Sequence, residues 1–327
     1  MKRRTLLAGL MLASSLTPAF AQEEGSVTVV LAEEPDLVEP CMATRSNIGR
    51  IVLQNISETL TELDVRGDEG LKPRLAESWE MTDDNTWRFH LREGVTFHDG
   101  KTLSADDVVY TLKRHLDPAT GSKVNAIASQ MSEISKIDDL TVRIVLSAAN
   151  ADLPTILALH HFMIVADGTT DFTTANGTGA FICETFEPGV RSVGVKNPNY
   201  FKAEGPYLDS FEFFAIADNS ARVNALMSGD IQIAANLNPR SMRTLDTSDA
   251  IKTSVTTAGN YTGLNIRLDM EPGASADFVQ GMKHLMNREL IQKSVLRGMA
   301  EIGNDQPVSP TNRYFNTELA PAESAGG

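Results

Sequence analysis

Apolar and polar positions along the chain follow two periods, and where the period changes the chain is punctuated by turn residues. Between Leu75 and Arg114 the pattern is clearest: Trp87, Phe89 and Leu91 alternate with Arg88, His90 and Arg92, which predicts a strand with one wet face. Asp83, Asp84 and Asn85 before it bond their own backbone readily, so the stretch from Trp79 and Glu80 onward reads as a hairpin. His98-Asp99-Gly100 predicts a second turn. Ser104 with Asp107 three residues on forms a capping box ahead of Val108, Leu112 and His115, and a helix is expected there. Elsewhere, Val27 to Leu31 suits a buried strand that stops at Glu33-Glu34-Pro35-Asp36, and Ile48, Ile51, Val52, Ile56 and Leu60 predict a helix over Asn47 to Leu60. Thr141 to Leu146 alternates as a strand. Leu153 to His161 reads as a short helix with Pro154 in its first turn, and Pro188-Gly189 turns one strand from Phe181 into another at Ser192 to Val195. Asp218 predicts a helix cap, Val223, Leu226 and Met227 its buried face, Gly229 its left-handed end, and Ile231 with Ile233 the strand that follows. Phe278, Met282, Leu285, Met286 and Leu290 read as one amphipathic helix after a turn at Glu271-Pro272-Gly273, with Met282, Leu285 and Met286 in the core.

The N-terminus adds a compartment. Lys2, Arg3 and Arg4 precede an apolar run from Leu6 to Leu16 and a small-x-small site at Ala19-Phe20-Ala21, the layout of a secretory signal cleaved before Gln22. The run is shorter than the roughly 20 apolar residues a membrane span requires, and no Cys follows it to carry a lipid. A freely diffusing periplasmic protein is expected. The 42% hydrophobic content over 327 residues supports a large core in more than one lobe, and a net charge of −14 makes nucleic acid a poor partner. After export two cysteines remain, Cys41 and Cys183. An oxidising compartment permits a disulfide between them, and a pair of buried free thiols is the equal alternative.

Signatures of catalysis are missing. No GxSxG elbow, HExxH, CxxC pair or Walker A loop occurs, and no cofactor is implied. His160-His161 is the one pair that suggests a metal, but neighbours on a helix point to different faces, so a surface or cap role is preferred. Asp106-Asp107 and Asp138-Asp139 read as a helix N-terminus and a turn. Gly177-Thr178-Gly179 is too short to cradle phosphate and reads as a turn.

Three stretches, LAESWEMTDDNTWRFHLREGVTFHDGKTLSADDVVYTLKR, GTGAFICETFEPGVRSVGVKNPNYF and DNSARVNALMSGDIQI, closely resemble the family 5 bacterial extracellular solute-binding proteins, which serve ABC importers of dipeptides, oligopeptides and nickel. Ala180 departs from the family's usual proline, and Gln280-Gly281-Met282 from its usual Arg-Gln-Ala. The resemblance implies an α/β fold, a two-lobed clamp of the class II periplasmic-binding type with an extra subdomain. Residues 22–54 and 190–265 would form lobe I, 55–189 its subdomain, 266–319 the start of an incomplete lobe II with one strand and one helix, and 320–327 a disordered tail. Thr44, Arg45 and Ser46 match the family's ligand-contacting turn. Tyr261, Gly263 and Asn265 match a crossing strand beside the cleft. Arg45 is the most informative of these, since a guanidinium holds a carboxylate bidentately. The implied protein is a monomer that takes a peptide or similar small solute to a membrane permease, with affinity weakened if lobe II is largely missing. A remnant without ligand binding and a periplasmic hydrolase are the alternatives, the second disfavoured by the absent motifs.

Overall fold

A computed structural model describes residues 25–33, 37–42, 53–64, 70–256, 263–310 and 314–321. The expected signal sequence, residues 44–46 and Tyr261 lie outside them. The chain divides into two units, one formed by residues 1–215 with 230–233 and the other by residues 216–229 with 234–327.

Among the described residues, the first unit contains two sheets of more than two strands. In one, the order is β11-β1-β10-β9-β8, with β1 (Ser26–Leu31) parallel to β10 (Ser210–Ala215), and β9 (Arg191–Lys196) antiparallel to both β10 and β8 (Phe181–Glu187). The edge strand β11 is only Ile233–Ala234. Phe181–Glu187, which the expected boundary at 189 assigns to the subdomain, is hydrogen-bonded into this sheet. Val30 and Leu31 are buried, as a parallel strand covered on its faces demands.

The other sheet runs β4-β5-β7-β6, all antiparallel, from Ala76–Asp83, Thr86–Leu91, Thr141–Leu146 and Met131–Asp138. Its inner face is the one the alternation predicts: Trp87, Phe89 and Leu91 are buried beside Val142, Ile144 and Leu146, while Arg88, His90 and Arg143 face outward. The Ala105–Arg114 helix covers that face with Val108 and Leu112 completely buried, which on about 1.5–3 kcal/mol per such side chain makes it the main lid of this core. Its capping residues behave as expected, the Asp107 carboxylate accepting from the Ser104 N–H and hydroxyl at 2.8 and 3.0 Å and also pairing with Lys101. Between the two sheets in sequence, β2 (Thr61–Leu63) and β3 (Leu71–Pro73) form a separate ribbon.

Several expectations are corrected. Among the described residues the helix foreseen to Leu60 ends at 56, although Leu60 stays buried. In the Asn219–Ser228 helix, Asp218 caps and Gly229 ends the helix at φ 82°, but of the expected apolar face only Val223 is buried and Met227 is exposed. No strand is formed over 263–267. The single helix foreseen after Gly273 is two, Ala276–Leu285 and Arg288–Ser294. Met286 is extended and the Asn287 side chain accepts the Leu290 N–H at 2.9 Å, so a new N-cap interrupts the apolar period. Neither helix buries a residue, and Met282, Leu285 and Met286 are therefore not core. His160 and His161 sit in a tight turn with ring centroids 3.9 Å apart rather than on opposed faces.

Candidate functional site

Of the residues the family resemblance points to, the described chain contains Gly263 and Asn265. Both are exposed on an extended segment of the second unit. That segment, the turn at Met270 and one face of the Ala276–Leu285 helix surround an open pocket of about 310 Å³, lined by Leu264, Asn265, Met270, Phe278 and Met282 among others. Its wall is mostly apolar, with Asn265, Arg267 and Glu271 as the polar side chains on it. The Arg267 guanidinium grips Asp269 through two bonds of 2.9 and 2.6 Å and holds that carboxyl below its ordinary range, which shapes the turn leading into the pocket. Thr44, Arg45, Ser46 and Tyr261 lie outside the described residues.

In the first unit, the approach to residue 44 is built in detail. The Pro40–Met42 turn has Pro40 and Cys41 buried. Glu39 accepts from Arg114, the last residue of the Ala105–Arg114 helix, through both carboxylate oxygens at 3.2 and 2.8 Å, and from the Cys41 N–H at 2.9 Å. Cys41 Sγ lies 3.7 Å from His115 Nε2 and 3.6 Å from Arg114. Burial, with Glu39 adding to it, pushes the thiol up to about 12. Burial also drives His115 down to about 4, helped by the neighbouring charges of His161 and Arg114. Cys41 is not bridged to Cys183, and both are buried free thiols. Cys183 belongs to β8 and contacts the Thr185 carbonyl at 3.8 Å, while Cys41 faces the histidine and arginine of another segment.

Two further clusters escaped the sequence reading. Gly177 and Gly179 are more than a turn: each backs onto the main chain at Ile56 so closely that a Cβ has no space, and the Gly179 N–H donates to the Ile56 carbonyl at 2.9 Å. His98 clamps the same strand entry, its Nδ1 accepting from the Gly177 N–H at 3.3 Å and its Nε2 lying 3.1 Å from the Gly179 carbonyl. Such an arrangement requires a neutral ring, in keeping with burial lowering its pKa. Nearby, the completely buried Glu58 carboxylate receives Tyr200 Oη at 2.7 Å and Arg74 at 3.1 Å. The available signal was a lone acid, flanked by Ser57 and Thr59, between the apolar positions Ile56 and Leu60. No group of three His, Cys, Asp or Glu among the described residues is arranged to hold a metal.

An α/β lobe of this topology is the architecture of the periplasmic binding proteins. The oligopeptide-binding protein AppA of Bacillus subtilis, solved with a nonapeptide, matches at a TM-score of 0.81 over 92% of this chain and 61% of its own, at 23% identity. Residues 70–325 match the bacterial extracellular solute-binding proteins, family 5 Middle, and the chain belongs to that family. A probable di/tripeptide-binding protein of Pseudomonas aeruginosa is 31% identical over 97% of this chain and 64% of its own length. The dipeptide-binding protein of Escherichia coli is 26% identical over 76% of this chain and 51% of its own. The chain spans 60–65% of the length of the first curated relatives it matches.

Proposed function

We propose that the protein is the exported, periplasmic solute-binding component of an ABC importer for small peptides, which binds its solute without covalent chemistry and delivers it to a membrane permease. The observation that carries this reading is the family membership over residues 70–325 together with relatives named for di- and tripeptides. On it, Arg45 holds a ligand carboxylate, with Thr44 and Ser46 supplying hydroxyls beside it. Gly263 and Asn265, with Tyr261 before them, offer backbone groups and one amide next to an apolar wall that receives a side chain. Supporting an exported, unanchored form are the basic and apolar leader ending at Ala21 and the lack, among the described residues, of any helix long and apolar enough to cross a membrane. The test is incubation of the mature protein with a library of di- and tripeptides, followed by mass spectrometry of the retained and free fractions. Retention of intact peptides supports the proposal. Cleaved peptides point instead to a hydrolase, and no retention removes peptides as the ligand class.

A further inference from the structure

Between Phe162 and Phe181 the first unit has no helix or strand, and residues 167–176 of that stretch are mostly exposed. Connections of such length without structure of their own are uncommon in compact folds. This strap is tied at its start to the Ala105–Arg114 helix: the Asp167 N–H donates to Asp107 at 2.7 Å, and the Thr169 carbonyl accepts from Tyr110 at 2.6 Å. At its far end the ties go to the turn at His98-Asp99. The His98 N–H donates to the Gly177 carbonyl at 2.9 Å, its Nδ1 accepts the Gly177 N–H at 3.3 Å, and its Nε2 meets the Gly179 carbonyl at 3.1 Å. Asp99 and Asn176 bond each other twice, at 3.3 and 2.8 Å. The turn is the fixed side, because Val95, Phe97 and Leu103 around it are buried.

This geometry puts the ring's one proton on Nε2 and a lone pair at Nδ1. A second proton, at Nδ1, sets a donor against the Gly177 N–H, and that buried group loses its acceptor. We propose that His98 is a pH-dependent latch for the strap: neutral, it pins residues 176–179, and doubly protonated, it releases them. Few charges surround the ring. The strap brings none between Thr173 and Gly179, residues 53–58 bring Glu58, held by Arg74 and Tyr200, and the turn brings Asp99 and Lys101, the lysine paired with Asp107. Asn197, which also donates to the Gly179 carbonyl, follows the exposed Lys196. Burial outweighs the Gly179 carbonyl and Asp99, so the ring in the closed latch protonates below its ordinary 6.5. Released, it returns to that value. The latch is therefore fully closed above pH 6.5, and closure weakens by up to about tenfold per pH unit as the pH falls from 6.5 toward the closed-latch value.

Site-resolved hydrogen exchange of the whole chain from pH 7.5 to 4, expressed as protection relative to the intrinsic rate at each pH, tests this. Gly177 is less protected than Phe89 and Val142, a registered pair inside the four-stranded sheet, and its protection falls with pH as stated. His98→Asn keeps an acceptor near the Nδ1 position and does not titrate, so its Gly177 protection stays level. Protection that does not change with pH in the unmodified chain overturns the proposal, as does a fall that His98→Asn reproduces. Gly177 protection equal to that of Phe89 and Val142 throughout also overturns it, since exchange then reports global unfolding. Should His98→Asn fail to fold, the imidazole nitrogen signals of the unmodified chain decide: the fall in Gly177 protection ends at the pH where Nδ1 takes up its proton. A ring protonated at Nδ1 at pH 7.5, or a fall that continues past its titration, overturns the latch.

Discussion

His115 makes the stability of the first unit depend on pH in a window that can be worked out in advance. Its ring is completely buried, 4.7 Å from Phe162, with Nδ1 on Ser122 and Nε2 toward the Cys41 thiol. Burial, followed by the charges of His161 and Arg114, lowers its pKa from 6.5 to about 4, with Glu39 opposing. The unfolded chain therefore takes up a proton at this position before the folded one does. Stability is flat above pH 6.5 and falls as the pH drops from 6.5 toward 4. At about 1.36 kcal/mol per pH unit the loss amounts to about 3 kcal/mol, a sizeable part of the roughly 5–15 kcal/mol that holds a domain folded. Urea unfolding followed by tryptophan fluorescence is the assay, because Trp79 and Trp87 are the chain's two tryptophans and both lie in the four-stranded sheet. Carboxylates contribute their own acid loss, so the comparison is with His115→Gln at the same series of pH values and constant m. The variant starts less stable at pH 7.5, and the gap between the two closes by about 3 kcal/mol by pH 4. Parallel curves for the two proteins would refute the reasoning.

The remaining predictions concern packing and surface charge. Gly179→Ala places a methyl 2.5 Å from the Ile56 carbonyl carbon and 2.7 Å from the Asn55 oxygen, so its urea midpoint falls by the equivalent of about 2 kcal/mol or more. Leu112→Ala leaves a cavity between helix and sheet and costs about 2–5 kcal/mol by the same fluorescence assay. Thiol titration without reductant finds two reactive groups in denaturant and almost none in the native state, since Cys41 and Cys183 are both unbridged and buried. Arg143→Ala breaks an exposed pair with Glu133 at 2.8 Å and changes stability by less than about 1 kcal/mol.

What the sequence disclosed was local. The hairpin, the Ser104–Asp107 cap, Gly229 and the Pro188-Gly189 turn are each encoded within a few residues, and each stands where the pattern puts it. Apolar period was a weaker guide near the end of the chain, where one helix ends at Leu285, Met286 is extended and Asn287 caps a second helix within the same hydrophobic series. Long-range partners were not legible. Glu39 and Arg114 are 75 residues apart, Glu58 and Tyr200 are 142, and no spacing rule relates residues brought together by sheet order alone. The Gly177-Thr178-Gly179 stretch carried a signal that only the structure decodes: small residues mark either a turn or a close approach of two main chains, and here His98 and Ile56 select the second.

The central claim, that this chain binds small peptides, is tested most directly by calorimetric titration of residues 22–327, the expected mature form, with a panel of di- and tripeptides. The account predicts saturable one-to-one binding, lost when Arg45 is replaced by alanine and retained when the surface Arg143 is replaced instead. Absence of saturable heat across the panel, or binding that Arg45→Ala leaves unchanged, contradicts it.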